Sequence, residues 1–139
     1  MKNNKPLTIM VADDDEDDRE LLTSLFNENE KFELLYCFES GIDAIKEIMV
    51  KKNIPDILLI DMYMPMLTGS EIVKKLEESE TAPNTYKFVL STTINSAEEN
   101  KYMDNPKVKF IKKPASLEDV NALPNIILEY FNEQKTVRT

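Results

Sequence analysis

The stretch Pro55-Asp56-Ile57-Leu58-Leu59-Ile60-Asp61-Met62-Tyr63-Met64-Pro65 decides the fold. A proline and an aspartate punctuate its start, and the run 57–60 is apolar on both faces. A strand of that kind sits in the middle of a parallel sheet covered on both sides. Upstream, residues 7–12 read as a second short buried strand, with acidic residues directly after it. Leu21, Leu22, Leu25 and Phe26 recur at helical spacing, residues 32–38 form a further β-prone run, and Ile42, Ile45, Ile48 and Met49 make another helical stripe. Downstream, Gly69 precedes an amphipathic helix over 71–76, and residues 86–90 and 108–111 read as strands. Ser96 and Glu99 have the spacing of a capping box. Ser116 can cap a last helix through Leu117, Val120, Leu123, Ile126, Ile127, Tyr130 and Phe131. Pro124 falls inside that helix and predicts a kink or a break, with Pro124 opening the second piece.

Five strands alternating with five helices predict an α/β fold: one doubly wound, five-stranded parallel sheet with helices on both faces. The chain of 139 residues is one domain's worth, with an expected core over about 7–131 and frayed ends at 1–5 and 135–139.

Composition removes many functions. There is no histidine, so no Ser-His or Cys-His pair, no histidine metal ligand and no phosphohistidine belongs to this chain. Two glycines, Gly41 and Gly69, cannot build a glycine-rich phosphate cradle. A net charge of -9 argues against direct nucleic-acid binding. No apolar run reaches the roughly 18–20 residues that span a bilayer, and the start lacks a secretory signal. The single Cys37 lies in an apolar strand, reads as inert, and fits a reducing cytoplasm.

Function in such sheets collects at the carboxyl ends of the strands. There stand Asp13, Asp14 and Asp15; Asp61; Ser91, Thr92 and Thr93; and Lys112, Lys113 and Pro114. Unit charges about 4 Å apart interact by roughly 4 kcal/mol at an effective dielectric near 20. Clustered carboxylates therefore need a raised pKa or a cation, and a hard divalent ion such as Mg²⁺ suits an all-oxygen site. An aspartate nucleophile, a divalent ion, a lysine and a hydroxyl suit phosphoryl transfer to a carboxylate.

Four motifs in order carry a resemblance: Ile9-Met10-Val11-Ala12-Asp13-Asp14-Asp15, then Asp56 to Pro65 with Gly69, then Val89-Leu90-Ser91-Thr92, then Phe110-Ile111-Lys112-Lys113-Pro114. Together they resemble the receiver domain of two-component response regulators over about residues 7–131, and the stand-alone, chemotaxis-regulator-like class in particular. The resemblance implies a flavodoxin-like strand order 2-1-3-4-5. It implies that Asp61 accepts a phosphoryl group from a histidine kinase or a histidine phosphotransfer protein. Asp14 and Asp61 would bind Mg²⁺ directly with the backbone carbonyl of Tyr63, and Asp13 through water. Lys113, the lysine immediately before the proline, would pair with Asp61 and then with the phosphoryl oxygens. Ser91 and Phe110 would form the switch that changes binding of a downstream protein. Tyr63, Thr92 and Thr93 stand where the family tunes the site: Tyr63 over the acceptor predicts slow self-dephosphorylation, and Thr92 narrows access for donors. The expected protein is a cytoplasmic, non-enzymatic monomer. Dimerisation on phosphorylation is left open.

Blander readings stand beside these. The acidic run 13–18 is also a well-capped helix start, Asp61 a helix cap, Lys113 a turn lysine, Ser91 a strand-end hydroxyl and Phe110 a core residue. Met62, Met64 and Met66 read as loop packing. A calcium loop fails because Asp18 occupies its glycine position and Ser24 its glutamate position. A haloacid-dehalogenase-type phosphohydrolase needs an aspartate where Tyr63 stands. A receiver-like module that binds partners without phosphorylation is the remaining alternative.

Overall fold

The computed structural model describes residues 5–94 and 96–137. The five apolar runs pair as parallel strands: β1 (Leu7–Ala12), β2 (Phe32–Phe38), β3 (Ile57–Asp61), β4 (Tyr86–Ser91) and β5 (Val108–Lys112). Their order is β2-β1-β3-β4-β5, as expected for the doubly wound fold. β3 is buried at every residue, which its two apolar faces require. The helices are α1 (Glu16–Asn27), α2 (Gly41–Ile45), α3 (Gly69–Ser79), α4 (Ser96–Lys101) and α5 (Leu117–Val137).

Alternation along the strands divides the core in two. Met10, Ala12, Leu58, Ile60 and Val89 face α2 and α3, through Ala44, Ile72, Val73 and Leu76. Ile9, Val11, Ile57, Leu59 and Phe88 face α1 and α5, through Leu22, Phe26, Leu123, Ile127 and Phe131.

Five details depart from expectation. First, α5 is continuous through Pro124, so the break does not form. Proline in a helix interior costs about 3 kcal/mol. Leu123 and Ile127, one on each side of it, are fully buried, and burying such side chains contributes roughly 1.5–3 kcal/mol each. Second, α5 also takes in residues 135–137, which were expected to fray; residues 1–4, 138 and 139 lie outside the described residues. Third, α2 passes into a π turn at Lys46–Val50, closed by the Lys51 N–H donating to the Lys46 carbonyl at 3.0 Å. In that turn Glu47 is buried and accepts from the Asn53 side-chain amide. Fourth, Met62 and Met64 are buried but Met66, at φ 73°, is exposed, so it does not pack. Fifth, α4 begins at Ser96 itself, one residue earlier than a Ser96 cap implies; residue 95 lies outside the described residues.

One buried charge was not legible as such. Lys87 of β4 is enclosed, 3.0 Å from Glu77 Oε2 of α3, and donates to the Thr85 carbonyl at 2.9 Å. The Asn105 amide holds the other Glu77 oxygen at 2.8 Å.

Candidate functional site

Parallel strands bring their carboxyl ends to one rim, and the loops there fix the side chains. Asp13 follows β1 directly. Its N–H donates to the Phe38 carbonyl at 3.0 Å, its Oδ1 accepts from the Asp15 N–H at 2.9 Å, and Arg19 Nη1 donates to its carbonyl at 2.9 Å. Asp15 caps α1 by accepting from the Asp18 N–H. Asp61 ends β3 opposite Leu90, and the next N–H, of Met62, donates to the Leu90 carbonyl at 2.8 Å. Thr68 and Glu71 make a capping box at the start of α3. The Gly69 N–H donates to the Met62 carbonyl at 2.8 Å, closing the loop that follows Asp61. The Lys113 N–H donates to the Ser91 carbonyl at 2.8 Å, which holds the end of β5 against the end of β4.

These anchors bring together residues far apart in the chain. Asp13, Asp14 and Asp61 each offer a carboxylate oxygen within 4.8 Å of one another. Lys113 Nζ lies 3.3 Å from Asp61 Oδ1, 3.8 Å from Asp13 Oδ2 and 3.0 Å from Asp18 Oδ2. Asp13 and Asp61 are buried, whereas Asp14 is exposed. Burial pushes the Asp13 carboxyl up to about 6, partly opposed by the Asp15 N–H, and the Asp61 charge adds to the rise. Burial also raises Asp61, with the Lys113 ammonium pulling the other way. Burial disfavours charge on Lys113, yet the Asp18 hydrogen bond and the charges of Asp13 and Asp61 carry its pKa above the ordinary lysine value.

The residues present fit a hard divalent cation. The donor set is all carboxylate, and Asp13 Oδ2 is buried with no hydrogen-bond partner. This buried carboxylate oxygen has the Lys113 ammonium at 3.8 Å but no hydrogen bond, and beside two other carboxylates a bound cation would complete its coordination.

The hydroxyl side is arranged differently. Ser91 is buried, and its hydroxyl donates to the Thr93 carbonyl. Tyr63 is 56 % exposed, with its hydroxyl oxygen 3.5 Å from Thr93 Oγ1. Hydrogen bonds to Thr93 and then Ser91 lower the Tyr63 pKa. Thr92 and Thr93 are exposed. Phe110 is buried and stacks on Tyr102, ring centroids 6.3 Å apart.

Asp18 and Arg19 join the rim unannounced by the sequence. Asp18 stands in the first turn of α1, where its backbone N–H donates to the capping Asp15. Its reach to Lys113 is a tertiary contact with no local signature. Among the described residues, no helix is long and apolar enough to cross a membrane.

Residues 9–124 match the family model described as the response regulator receiver domain. A protein-glutamate methylesterase/protein-glutamine glutaminase of Halalkalibacterium halodurans is 27% identical over 94% of this chain. The match covers 41% of that protein, so the chain spans about two fifths of its length. The response regulator domain of Thermotoga maritima CheB superposes with a TM-score of 0.72 at 24% identity, covering 91% of this chain and 95% of that one. The phosphorylated cyanobacterial phytochrome response regulator RcpA gives 0.74 at 22% identity, covering 90% and 93%. The chain belongs to the response regulator receiver domain family.

Proposed function

We propose that this chain is a phosphorylation-controlled signalling switch with Asp61 as the phosphoryl acceptor. The observation that carries the reading is Lys113 Nζ at 3.3 Å from Asp61 Oδ1, beside carboxylates of Asp13, Asp14 and Asp61 that gather within 4.8 Å. The donor is a phosphohistidine on a histidine kinase or a histidine phosphotransfer protein. An Asp61 oxygen attacks the phosphorus and forms the new O–P bond. The bond from phosphorus to the donor's imidazole nitrogen breaks, and its electron pair returns to the imidazole, which takes up a proton. Asp14 and Asp61, with the Tyr63 carbonyl, would hold Mg²⁺ directly, and Asp13 would hold it through water. When bound, the ion neutralises charge on the transferred oxygens. Lys113 supplies a second positive charge and keeps one phosphoryl oxygen oriented.

Ser91 reports the event. Its hydroxyl leaves the Thr93 carbonyl to donate to the phosphoryl group, which pulls on the loop after β4. Phe110, stacked on Tyr102 next to α4, reorients into the space released and changes the face that a downstream protein reads. Tyr63 and Thr93 screen the acceptor from attacking water and lengthen the life of the phosphorylated state. Ester hydrolysis, which the name of the Halalkalibacterium relative describes, is not part of this proposal.

The test is intact-protein mass spectrometry after incubation with Mg²⁺ and acetyl phosphate, on wild type and Asp61→Asn. One added phosphoryl mass that requires Mg²⁺ and vanishes in Asp61→Asn supports the reading. No modification, together with no uptake of beryllofluoride, overturns it in favour of a module that binds partners without phosphorylation.

A further inference from the structure

We propose that Asp18 is a positioning residue that holds Lys113 in a shared, restrained position and so slows phosphoryl acceptance by Asp61. This deepens the phosphoacceptor reading and rests on it. The ammonium carries three protons and faces three carboxylates: Asp18 at 3.0 Å, Asp61 at 3.3 Å and Asp13 at 3.8 Å. The shortest contact is to the residue outside the carboxylate cluster, not to the acceptor. The Asp13 and Asp61 side chains are 1% and 5% exposed, whereas that of Asp18 is 35% exposed. Asp18 therefore stands on the solvent side of the ammonium, where an incoming anion must arrive.

The pair is held from both ends. The Lys113 backbone is tied to the Ser91 carbonyl, and the Asp18 backbone is tied to the capping Asp15. For Lys113 to serve a phosphoryl oxygen it must give up one of its three contacts. The Asp18 contact is the one with compensation at hand, since water replaces it at a half-exposed carboxylate. Until then Asp18 occupies a proton that the phosphoryl oxygen needs, and its charge repels the anionic donor. The transfer itself is unchanged: the Asp61 O–P bond forms, the donor's bond to phosphorus breaks, and its electron pair leaves with the donor.

The experiment compares wild type, Asp18→Asn, Asp17→Asn, Lys113→Ala and the Asp18→Asn/Lys113→Ala double variant, each as the full chain. Asp17 removes the same charge from an exposed neighbouring position of the same helical turn. Two quantities are read in the presence of Mg²⁺: the initial rate of phosphoryl uptake from acetyl phosphate, and the apparent dissociation constant for beryllofluoride from backbone NMR shifts. Asp18→Asn is expected to speed uptake and tighten beryllofluoride by about threefold or more, the scale of one partly exposed ion pair. Asp17→Asn is expected to stay within about twofold of wild type. In the Lys113→Ala background, Asp18→Asn is expected to change neither quantity. An unchanged or weaker Asp18→Asn, an equal gain from Asp17→Asn, or a gain that persists without Lys113 overturns the proposal while wild type still accepts phosphoryl. A wild type that binds no beryllofluoride and takes up no phosphoryl overturns the phosphoacceptor reading, and this proposal with it.

Discussion

Gly69 packs its backbone against Asp61, the proposed acceptor: a Cβ built on it would lie 3.0 Å from the Asp61 carbonyl oxygen and 3.0 Å from Met62 Cα. The N-terminus of α3 can close on the end of β3 only because position 69 has no side chain. The need is for close approach, since the Gly69 φ is not positive.

Gly69→Ala is accordingly expected to push Asp61 and Met62 away from α3. Overpacking of this kind costs about 1–3 kcal/mol. Urea denaturation measures that loss, and Mg²⁺-dependent phosphoryl uptake is expected to fall with it. A variant as stable and as active as wild type would show that the loop gives way freely.

Asp13 is expected to make stability depend on pH and on Mg²⁺. Its folded-state pKa is raised from 3.8 to about 6. Between those values the folded protein keeps a proton that the unfolded chain has released. The stabilisation is therefore complete below the unfolded value and is lost as pH rises through the folded one. Without Mg²⁺, Asp13→Asn is expected to stabilise the protein at pH 7.5 by about 1–2 kcal/mol. Mg²⁺ competes with that proton, so its apparent affinity in wild type is expected to weaken as pH falls below about 6. Thermal melts across pH, with and without Mg²⁺, check both statements.

Removing Glu77 strands the enclosed Lys87 ammonium, which then retains only its backbone carbonyl partners. Glu77→Ala is expected to cost about 1–3 kcal/mol, below the figure for a fully buried pair because Glu77 is 33% exposed. Lys87→Met is expected to cost less than Glu77→Ala, since an apolar chain of similar length tolerates the same enclosure. Denaturant midpoints of the two variants decide the order.

Tyr63→Ala removes the ring whose hydroxyl lies 3.5 Å from Thr93 Oγ1. The phosphorylated form is then expected to lose its phosphoryl group about threefold faster, a barrier change of under about 1 kcal/mol. Decay of the phosphorylated mass after donor removal is the measurement. An equal or longer lifetime would show that the ring does not shield the acceptor.

Local order determined much of this protein. The alternation of apolar runs and helical stripes contained the five strands, the helices and the doubly wound arrangement, because side-chain periodicity and right-handed crossover leave few other ways to bury both faces of residues 57–60. The rim residues Asp13, Asp14, Asp61, Ser91 and Lys113 were legible for the same reason: each stands at or within two residues of the carboxyl end of a strand, and a parallel sheet delivers all strand ends to one side. What only the tertiary structure decided are the relations with no period. The sharing of Lys113 between Asp61 and Asp18 spans from α1 to the end of β5, and the Lys87–Glu77 pair joins β4 to α3. The continuity of α5 through Pro124 is of the same kind: helix propensity opposes it, and burial of Leu123 and Ile127 against the sheet overrides that preference. Propensity acts over a few neighbouring residues, whereas burial and ion pairing depend on which distant groups the fold brings within contact, and those distances exist only once the sheet has formed.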